Sequence, residues 1–283
     1  MSSLSLSLPN IPDFRLLKDA RHFQIIYLGS FLLYGIFALG WQANLVAYAV
    51  LISICLFTQF LFLKRHKLSM QGLKSAMITA LGLCLLCKSS ELWVMGLAAF
   101  IAISSKFLIR YKDSHLFNPA NIGIKAAILL TGKAWVSPGQ WGSDVVLLFM
   151  MGAAAFIVLL KVGRIDTSLG FLFSFGGLIF IEQVIYKGWP LDHFFHSLSS
   201  GTLLLFTFFM ITDPKTTPRA PKARIIWALI IGVFTYILSS WFYTFDSPIW
   251  ALIIVSPLTV FLNKKYGGKP FHWIKQSSIS YNK

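Results

Sequence analysis

Residues 42–63 read QANLVAYAVLISICLFTQFLFL, a run of 22 residues without a charged side chain. Trp41 precedes the run, and Lys64 and Arg65 follow it directly. About 20 apolar residues in a helix are enough to cross the hydrocarbon core of a bilayer. A tryptophan at one end and a basic pair at the other are typical of the two membrane interfaces. The pattern therefore predicts a transmembrane helix.

The composition of the whole chain favours the same environment. Of 283 residues, 56% are hydrophobic and only 12% are charged. An ordinary soluble domain has about 25% charged residues, and a disordered chain has low hydrophobicity. Both classes are therefore excluded, and the sequence predicts an all-α polytopic membrane protein that has the lipid bilayer as its first partner.

Ten apolar segments are candidate transmembrane helices. They are residues 23–40, 42–63, 72–87, 92–109, 119–132, 145–160, 168–186, 197–211, 223–241 and 248–262. The third, fifth and eighth segments are short and carry Gly, Pro or Ser near their starts.

The basic residues predict the orientation of these segments. If all ten cross, 21 of the 25 Lys and Arg residues fall on the side of the N-terminus, while Lys88, Lys133 and Lys187 fall on the other side and Lys125 lies within a span. Basic loops stay on the cytoplasmic side, so both termini are predicted to be cytoplasmic. The net charge of +15 then reflects topology, and no nucleic-acid partner is predicted.

Two halves of the chain share a weak pattern. Asn118-Pro119 and Ser247-Pro248 each place a proline at the start of the last helix of a half, where proline is favoured. We expect a cytoplasmic segment 1–22, a first five-helix repeat 23–132, a short outer loop 133–143, a second repeat 144–263 and a basic cytoplasmic tail 264–283. An odd number of helices per half makes the repeat inverted, with a ligand site near the membrane midplane.

A few polar residues inside or beside the spans are candidates for function. Lys125 lies in mid-membrane, where a cation is costly; pairing with Glu182, a bound anion or a flavin edge are open alternatives to a water-facing lysine. Asp213 precedes a proline and is expected to organise a turn, with ligand contact as the second reading. Ser200-Gly201-Thr202 is interpreted as helix capping and close packing.

The remaining patterns indicate no chemistry of their own. The three cysteines lie in apolar runs, so neither a disulfide framework nor an iron–sulfur site is expected. The sequence shows no catalytic triad and no phosphate-binding loop. We therefore predict no catalytic residue and no metal site, and we interpret the chain as a non-catalytic membrane subunit rather than a stand-alone enzyme.

Two motifs resemble a known family. Residues 115–123, HLFNPANIG, resemble the Phe-Asn-Pro-Ala motif of the NqrB/RnfD family, and residues 196–218, HSLSSGTLLLFTFFMITDPKTTP, resemble its Leu-Ser-Gly-Ala-Thr…Thr-Asp-Pro-Val-Thr segment. The family contains membrane subunits of the sodium-pumping NADH:quinone reductase and of the Rnf electron-transport complex. The resemblance implies two inverted five-helix repeats, similar to urea transporters, in the bacterial inner membrane.

The resemblance also implies a function in membrane electron transport or transmembrane transport, beside partner oxidoreductase or extracytoplasmic subunits. It points to a non-covalent flavin or quinone site between the repeats. The candidate cofactor-binding residues are Asn118, Asn121, Lys125, Ser200, Gly201, Thr202 and Asp213.

One departure and two alternatives accompany this resemblance. In the family, FMN is attached to a threonine in an extended loop after the Asn-Pro-Ala helix. Here the loop 133–143 has eleven residues and no threonine, so the covalent flavin site is expected to be absent. The alternatives are a solute channel or transporter of urea-transporter-like fold without a redox role, and a biosynthetic accessory membrane protein similar to the short RnfD-like UnbU proteins.

Overall fold

The structure, a computed structural model, describes residues 19–41, 43–112, 114–137, 152, 159–160, 162–271 and 273. Most of the predicted sixth segment, 145–160, lies outside the described residues. The same holds for most of the predicted N-terminal segment 1–22, and for positions 138–143 of the predicted outer loop.

The first half of the chain forms five α-helices, and each overlaps a predicted segment. They are α1 (Ala20–Phe37), α2 (Leu45–Arg65), α3 (Leu73–Leu86), α4 (Leu92–Leu108) and α5 (Pro119–Thr131). Asp19, Asn44 and Asn118 cap α1, α2 and α5 through side-chain oxygens that accept backbone N–H bonds, because these oxygens satisfy donors that a helix start leaves open.

The second half departs more from regular α-helix. The helices among its described residues are α6 (Ile165–Phe180), α7 (Leu191–Leu198), α8 (Gly201–Leu205), α9 (Pro221–Ser240), α10 (Ser247–Val255) and α11 (Leu258–Tyr266). π-Helical segments extend α6 over Ile181–Tyr186 and α8 over Phe206–Met210.

Two of the predicted segments are not single straight helices. Segment 197–211 is interrupted at Ser199 and Ser200, which separate α7 from α8. Segment 248–262 bends by 51° between α10 and α11. Pro257 lies at this bend, where its ring removes a backbone donor and disturbs the preceding turn.

Two small antiparallel strand pairs lie next to helix ends in the described part of the chain. β1 (Cys87–Ser89) pairs with β4 (Ala134–Val136), and β2 (Arg110–Tyr111) pairs with β3 (Ser114–His115). The start of the predicted outer loop is therefore a strand that connects the ends of α3 and α5.

The lengths and composition of the helices match a multi-pass membrane protein. Among the described residues, α2, Ile165–Tyr186 and α9 are long and apolar enough to cross a bilayer, and the bent pair α10–α11 would add a fourth span. Four further apolar helical segments are shorter. The helical membrane fold is thus confirmed, whereas ten crossings and an inverted repeat stay predictions.

Small residues allow the closest helix contacts of the two halves. Gly123 in α5 lies against the backbone of Ala98 in α4, and Gly232 in α9 lies against Ser174 and Phe175 in α6. Without a hydrophobic driving force in lipid, such close backbone approach is a main source of helix association. Both contacts fix the helices that carry the candidate site.

Candidate functional site

The start of α5 is bonded to the second half of the chain. Asn118 caps its own helix by accepting the Asn121 N–H at 3.2 Å, and its amide donates to the carbonyl of Met210 at 3.3 Å. Asn118 therefore ties the first turn of α5 to the end of the helical segment that begins with α8.

One turn further along, α5 meets the start of α10. The Asn121 amide donates to the Ile249 carbonyl at 3.1 Å, and the Lys125 ammonium forms an ion pair with Asp246. The Lys125 ammonium also lies 4.2 Å from the centre of the Trp250 ring, within the range of a cation–π contact. Because the later residue of α5 contacts the earlier residue of the α10 region, the two helix starts pass each other in opposite directions.

The partner of Lys125 is not Glu182, the carboxylate that the sequence suggests. Glu182 accepts bonds from Lys187 at 2.6 Å and from Ser240 at 2.9 Å, so it does not pair with Lys125. The side chain of Lys125 is only 3% exposed. A buried cation at this depth needs a counter-charge, and Asp246 supplies it.

A first cavity of about 70 Å³ lies on one side of these helix starts. Asn118, Asp213 and Gln24 contribute polar groups to its wall, and Trp273 covers part of it. The cavity follows α3 from Ser75 to Leu86.

A second cavity of about 300 Å³ touches α3 only at its last residue, Leu86. Hydroxyl groups and aromatic rings share its wall, together with Asp246. The hydroxyl residues are Ser197, Ser200, Thr202, Ser239 and Ser247, and the rings belong to Phe175, Phe206 and Phe245.

Leu86 and Met210 line both cavities. The two apolar side chains therefore stand between the first and the second cavity. Apolar side chains between two cavities can act as a hydrophobic gate, as they do in pores.

Asp213 organises the turn after the π-helical segment, as predicted. Its carboxylate accepts the Lys215 N–H at 3.0 Å, and its carbonyl accepts the N–H groups of Thr216 and Thr217 at 3.0 Å. His115 lies 3.3 Å from the second carboxylate oxygen. Burial by itself raises the pKa of Asp213, but the hydrogen bond and charge of His115 outweigh it, so the net pKa lies below its ordinary value.

The Ser200-Gly201-Thr202 stretch is packed in the interior at Gly201, but the prediction that it caps its helix through a side chain is wrong. Ser200 stands at the N-cap position of α8 without a side-chain capping bond. The Thr202 hydroxyl donates to the Ser137 carbonyl at 2.8 Å, and Gly201 is buried. Ser200 and Thr202 line the second cavity, and neither hydroxyl caps the helix start.

The seven candidate residues thus do not form one cluster. Asn118 and Asp213 line the first cavity, Ser200 and Thr202 line the second, and Asn121 and Lys125 lie in the helix contact beside them. Gly201 contributes backbone only.

Asp246 is a residue of the site that sequence reasoning missed. It directly precedes Ser247-Pro248 and stands at the N-cap position of α10, as Asn118 does in α5. An aspartate directly before a Ser-Pro helix start is a pattern that the sequence shows. It marks a carboxylate near the membrane interior as a candidate partner for a buried lysine. The buried Oδ1 of Asn121 has no hydrogen-bond partner among the described residues, and no pattern in the sequence indicates this.

The residues present fit a non-covalent redox ring better than a covalent one. The Thr202 hydroxyl is engaged with the Ser137 carbonyl, so it is a poor attachment point for a phosphodiester. The second cavity reaches the lower end of the volumes that ligand pockets usually have, about 300–1,000 Å³, whereas the first does not. Its mixture of rings and hydroxyl donors suits a planar ring with carbonyl acceptors.

Comparison with known proteins places these features in a family context. Residues 125–271 match the model of the NQR2, RnfD, RnfE family, a segment that includes Lys125, most of the wall of the second cavity and the Asp213 turn. The match covers just over half of the chain.

Curated relatives of the chain are named as the D component of an ion-translocating oxidoreductase complex. The protein from Stutzerimonas stutzeri is 27% identical over 181 residues, which cover 57% of this chain and 51% of the relative. The protein from Pseudomonas paraeruginosa is 25% identical over 292 residues, covering 81% of this chain and 83% of the relative. The chain thus spans about half the length of the first relative and most of the second.

Proposed function

This chain belongs to the NQR2, RnfD, RnfE family, and we propose that it is a membrane subunit of an ion-translocating electron-transport complex in the bacterial inner membrane. Its relatives are components of an oxidoreductase complex, which supports partner oxidoreductase subunits here. The observation that carries the proposal is the meeting of α5 and α10 beside a cavity within the family segment.

The second cavity is the proposed site of a non-covalent flavin or quinone. Ser200, Thr202 and Ser247 supply hydroxyl groups, and Phe175 and Phe206 supply apolar walls. The bound ring would carry the electrons, since these side chains have no redox chemistry. The protein's contribution is to bind the ring, orient its carbonyls and keep water from it.

The absorption spectrum of the detergent-purified protein tests this proposal. We expect flavin absorption that moves to the supernatant after acid precipitation, or a quinone in the solvent extract. A Ser200→Ala/Ser239→Ala variant should lose a substantial part of the cofactor because it removes two hydroxyls from the cavity wall. Ser30→Ala/Ser53→Ala, which removes two hydroxyls at positions that line neither cavity, is the matched control.

A preparation that contains neither flavin nor quinone would refute the cofactor site. Flavin that stays with the precipitated polypeptide would also refute it, because it would show covalent attachment. Equal cofactor loss in the Ser30→Ala/Ser53→Ala control would show that the second cavity is not where the ring binds.

The proposed topology has ten crossings in two inverted halves, with both termini in the cytoplasm. The opposed starts of α5 and α10, each with proline in its first turn, support it. Single cysteines at Lys133 and Lys215 in a cysteine-free background should react with an impermeant reagent from opposite sides of the membrane. Labelling of both positions from the same side would contradict the proposal.

A solute pathway is the second candidate function, and the shared wall of the two cavities favours it. If Leu86 and Met210 form a gate, Leu86→Ala/Met210→Ala should open a path between the chambers. Liposomes with the variant should then release a small polar solute faster than wild-type liposomes. Unchanged permeability, with the protein folded, would remove the pathway and leave the redox function.

A further inference from the structure

A third cavity of about 100 Å³ shares Pro214 with the first cavity and no lining residue with the second. The strands β2 and β3 with Lys112, the loop after Asp213, the helix α11 and the tail residue Phe271 form its walls. We call it the basic cleft. Its lining is mainly polar, which is unusual for a pocket in so apolar a chain.

Four cations from separate segments converge on the basic cleft. They are Lys112 in the β2–β3 turn, Lys215 and Arg219 in the loop, and Lys264 in the last turn of α11. No carboxylate of the described residues is part of the lining. Within the same part of the chain, Lys112, Arg219 and Lys264 form no ion pair with a carboxylate. Cations that line the same cleft repel one another, so an anion bound among them would be stabilised.

The walls of the cleft are held by hydrogen bonds, so its shape does not depend on a ligand. The backbone N–H of Arg219 donates to the side-chain oxygen of Asn263 at 2.8 Å, and the Thr259 hydroxyl donates to the Thr216 carbonyl at 3.2 Å. The Lys215 ammonium donates to the Phe271 carbonyl at 3.0 Å. These bonds join the loop, α11 and the tail into one frame.

Buried hydroxyl groups add polar contacts at the base of the cleft. Thr216 and Thr217 are 1% and 3% exposed. The Thr217 hydroxyl accepts a bond from Arg164 at 2.9 Å, which leaves its own proton available to another acceptor. A guanidinium, ammonium groups and a hydroxyl donor are together the usual surroundings of a phosphate group.

We propose that the basic cleft is a binding site for a phosphate ester. The group could belong to an anionic lipid headgroup or to a soluble phosphate compound. Basic pockets beside membrane helices bind lipid headgroups in this manner. The proposal is independent of the flavin or quinone site.

Thermal unfolding of the detergent-purified full chain tests the site. The probes are short-chain phosphatidylglycerol, short-chain phosphatidylcholine and inorganic phosphate, all at the same ionic strength. A ligand that binds only the folded state stabilises it by RT ln(1 + [L]/Kd) and thereby raises the midpoint of unfolding, more so the tighter it binds. We expect phosphatidylglycerol or inorganic phosphate to raise the midpoint, and phosphatidylcholine to have a much smaller effect.

The variant Arg219→Gln/Lys264→Gln removes two of the four cations. We expect it to weaken the apparent affinity about tenfold, because charge-assisted bonds to phosphate are among the strong ones. The control Lys64→Gln/Arg65→Gln removes the same charge from exposed positions at the end of α2 and should retain the wild-type affinity. The midpoint without ligand shows whether each variant is folded.

The outcomes distinguish the two possible sources of the phosphate group from the results that refute the site. Binding of inorganic phosphate that competes with the lipid indicates a soluble phosphate compound, whereas binding of phosphatidylglycerol alone indicates a headgroup. An equal loss of apparent affinity in both variants would overturn the proposal, because the attraction would then come from the positive charge of the protein surface in general. Absence of any stabilisation by either anion would overturn it as well.

Discussion

The starts of α5 and α10 occupy similar places in the two halves but are stabilised in different ways. Asn118 caps α5 with its own side chain. Asp246 stands at the N-cap position of α10 without a capping bond, and its carboxylate pairs with Lys125 instead. The first helix start is therefore locally satisfied, whereas the second depends on a residue from the other half.

α3 and the helical segment that begins with α8, which the predicted repeat would pair, differ in their regularity. α3 is a continuous α-helix from Leu73 to Leu86, while the other segment begins as α8 and continues as the π-helical segment Phe206–Met210. π-Helical segments are frequent at functional sites. The larger cavity lies beside this irregular helix, so the second half has the more specialised backbone.

The largest expected effect comes from separating Lys125 and Asp246. Lys125→Met leaves a carboxylate without its counter-charge, and breaking a buried pair in this way costs about 3–5 kcal/mol. We expect the free energy of unfolding, measured by SDS titration, to fall by this amount. Asp246→Asn in the same chain should restore part of the loss, because the unpaired charge is then gone.

Lys133 and Glu91 form the matched exposed pair. Their side chains are 52% and 43% exposed, and the two charged atoms lie 3.3 Å apart. Lys133→Met should change the free energy of unfolding by about 0–1 kcal/mol. Equal losses in Lys125→Met and Lys133→Met would show that the second helix start does not depend on the first half.

Much of the fold could be predicted from the sequence, because membrane helices are encoded by local composition. The run 42–63 corresponds to α2, and the pattern around Asn118-Pro119 corresponds to the capped start of α5. Apolar length, a capping residue and a proline act over a single turn or span, so one sequence is enough to recognise them.

The interior of the site could be predicted only in part, because it depends on which helices meet. Lys125 is recognisable as a buried cation, but its partner Asp246 lies 121 positions away. The interruption at Ser200 and the π-helical turn after Leu205 also depend on packing. Hydrophobicity alone predicts one continuous apolar segment over residues 197–211.

The close helix contacts of the two halves give the second prediction. A Cβ atom on Gly123 would lie 2.5 Å from the Ala98 carbonyl oxygen, and one on Gly232 would lie 2.9 Å from the Phe175 nitrogen and collide with Ser174. Gly123→Ala and Gly232→Ala should each lower the free energy of unfolding by about 1–3 kcal/mol, because overpacking displaces backbone.

Gly29→Ala and Gly177→Ala are the controls, one in each half. Apart from the chain neighbours and the backbone of the same helix, no atom of the described residues lies within 4 Å of the position a Cβ would take at either site. Both substitutions should leave stability unchanged or raise it by up to about 1 kcal/mol, since alanine favours helix over glycine. A stable Gly232→Ala protein beside an unstable Gly123→Ala protein would show that only the first half needs the close contact.

The caps provide a smaller test of the same comparison. Asn118→Ala removes both a capping bond and the bond to the Met210 carbonyl, so the free energy of unfolding should fall by at least the value of a lost cap, about 0.5–2 kcal/mol. Ser200 makes no capping bond, so Ser200→Ala should change stability by no more than about 0.5 kcal/mol. The same SDS titration measures both variants. A larger loss of unfolding free energy in Ser200→Ala than in Asn118→Ala would contradict the assignment of the capping side chain to the start of α5 rather than of α8.

The smallest expected change in stability concerns Asp19 at the start of α1, and it depends on pH. Burial alone raises the pKa of Asp19, but hydrogen bonds from Arg21 and Lys74 outweigh it and lower this pKa from 3.8 to about 2. Because the pKa is depressed in the folded state, the stabilisation is complete well above pH 3.8 and is lost as the pH falls towards 2. Between pH 7 and pH 3 the loss is about 1 kcal/mol by linkage.

Asp19→Asn isolates this contribution. The variant should be less stable than the wild type at pH 7, and the difference should shrink as the pH falls to 3, because the carboxylate of the unfolded wild-type chain then takes up a proton. Midpoints of thermal unfolding at both pH values measure the change. A difference that stays constant with pH would mean that Asp19 stabilises the start of α1 through packing rather than through its charge.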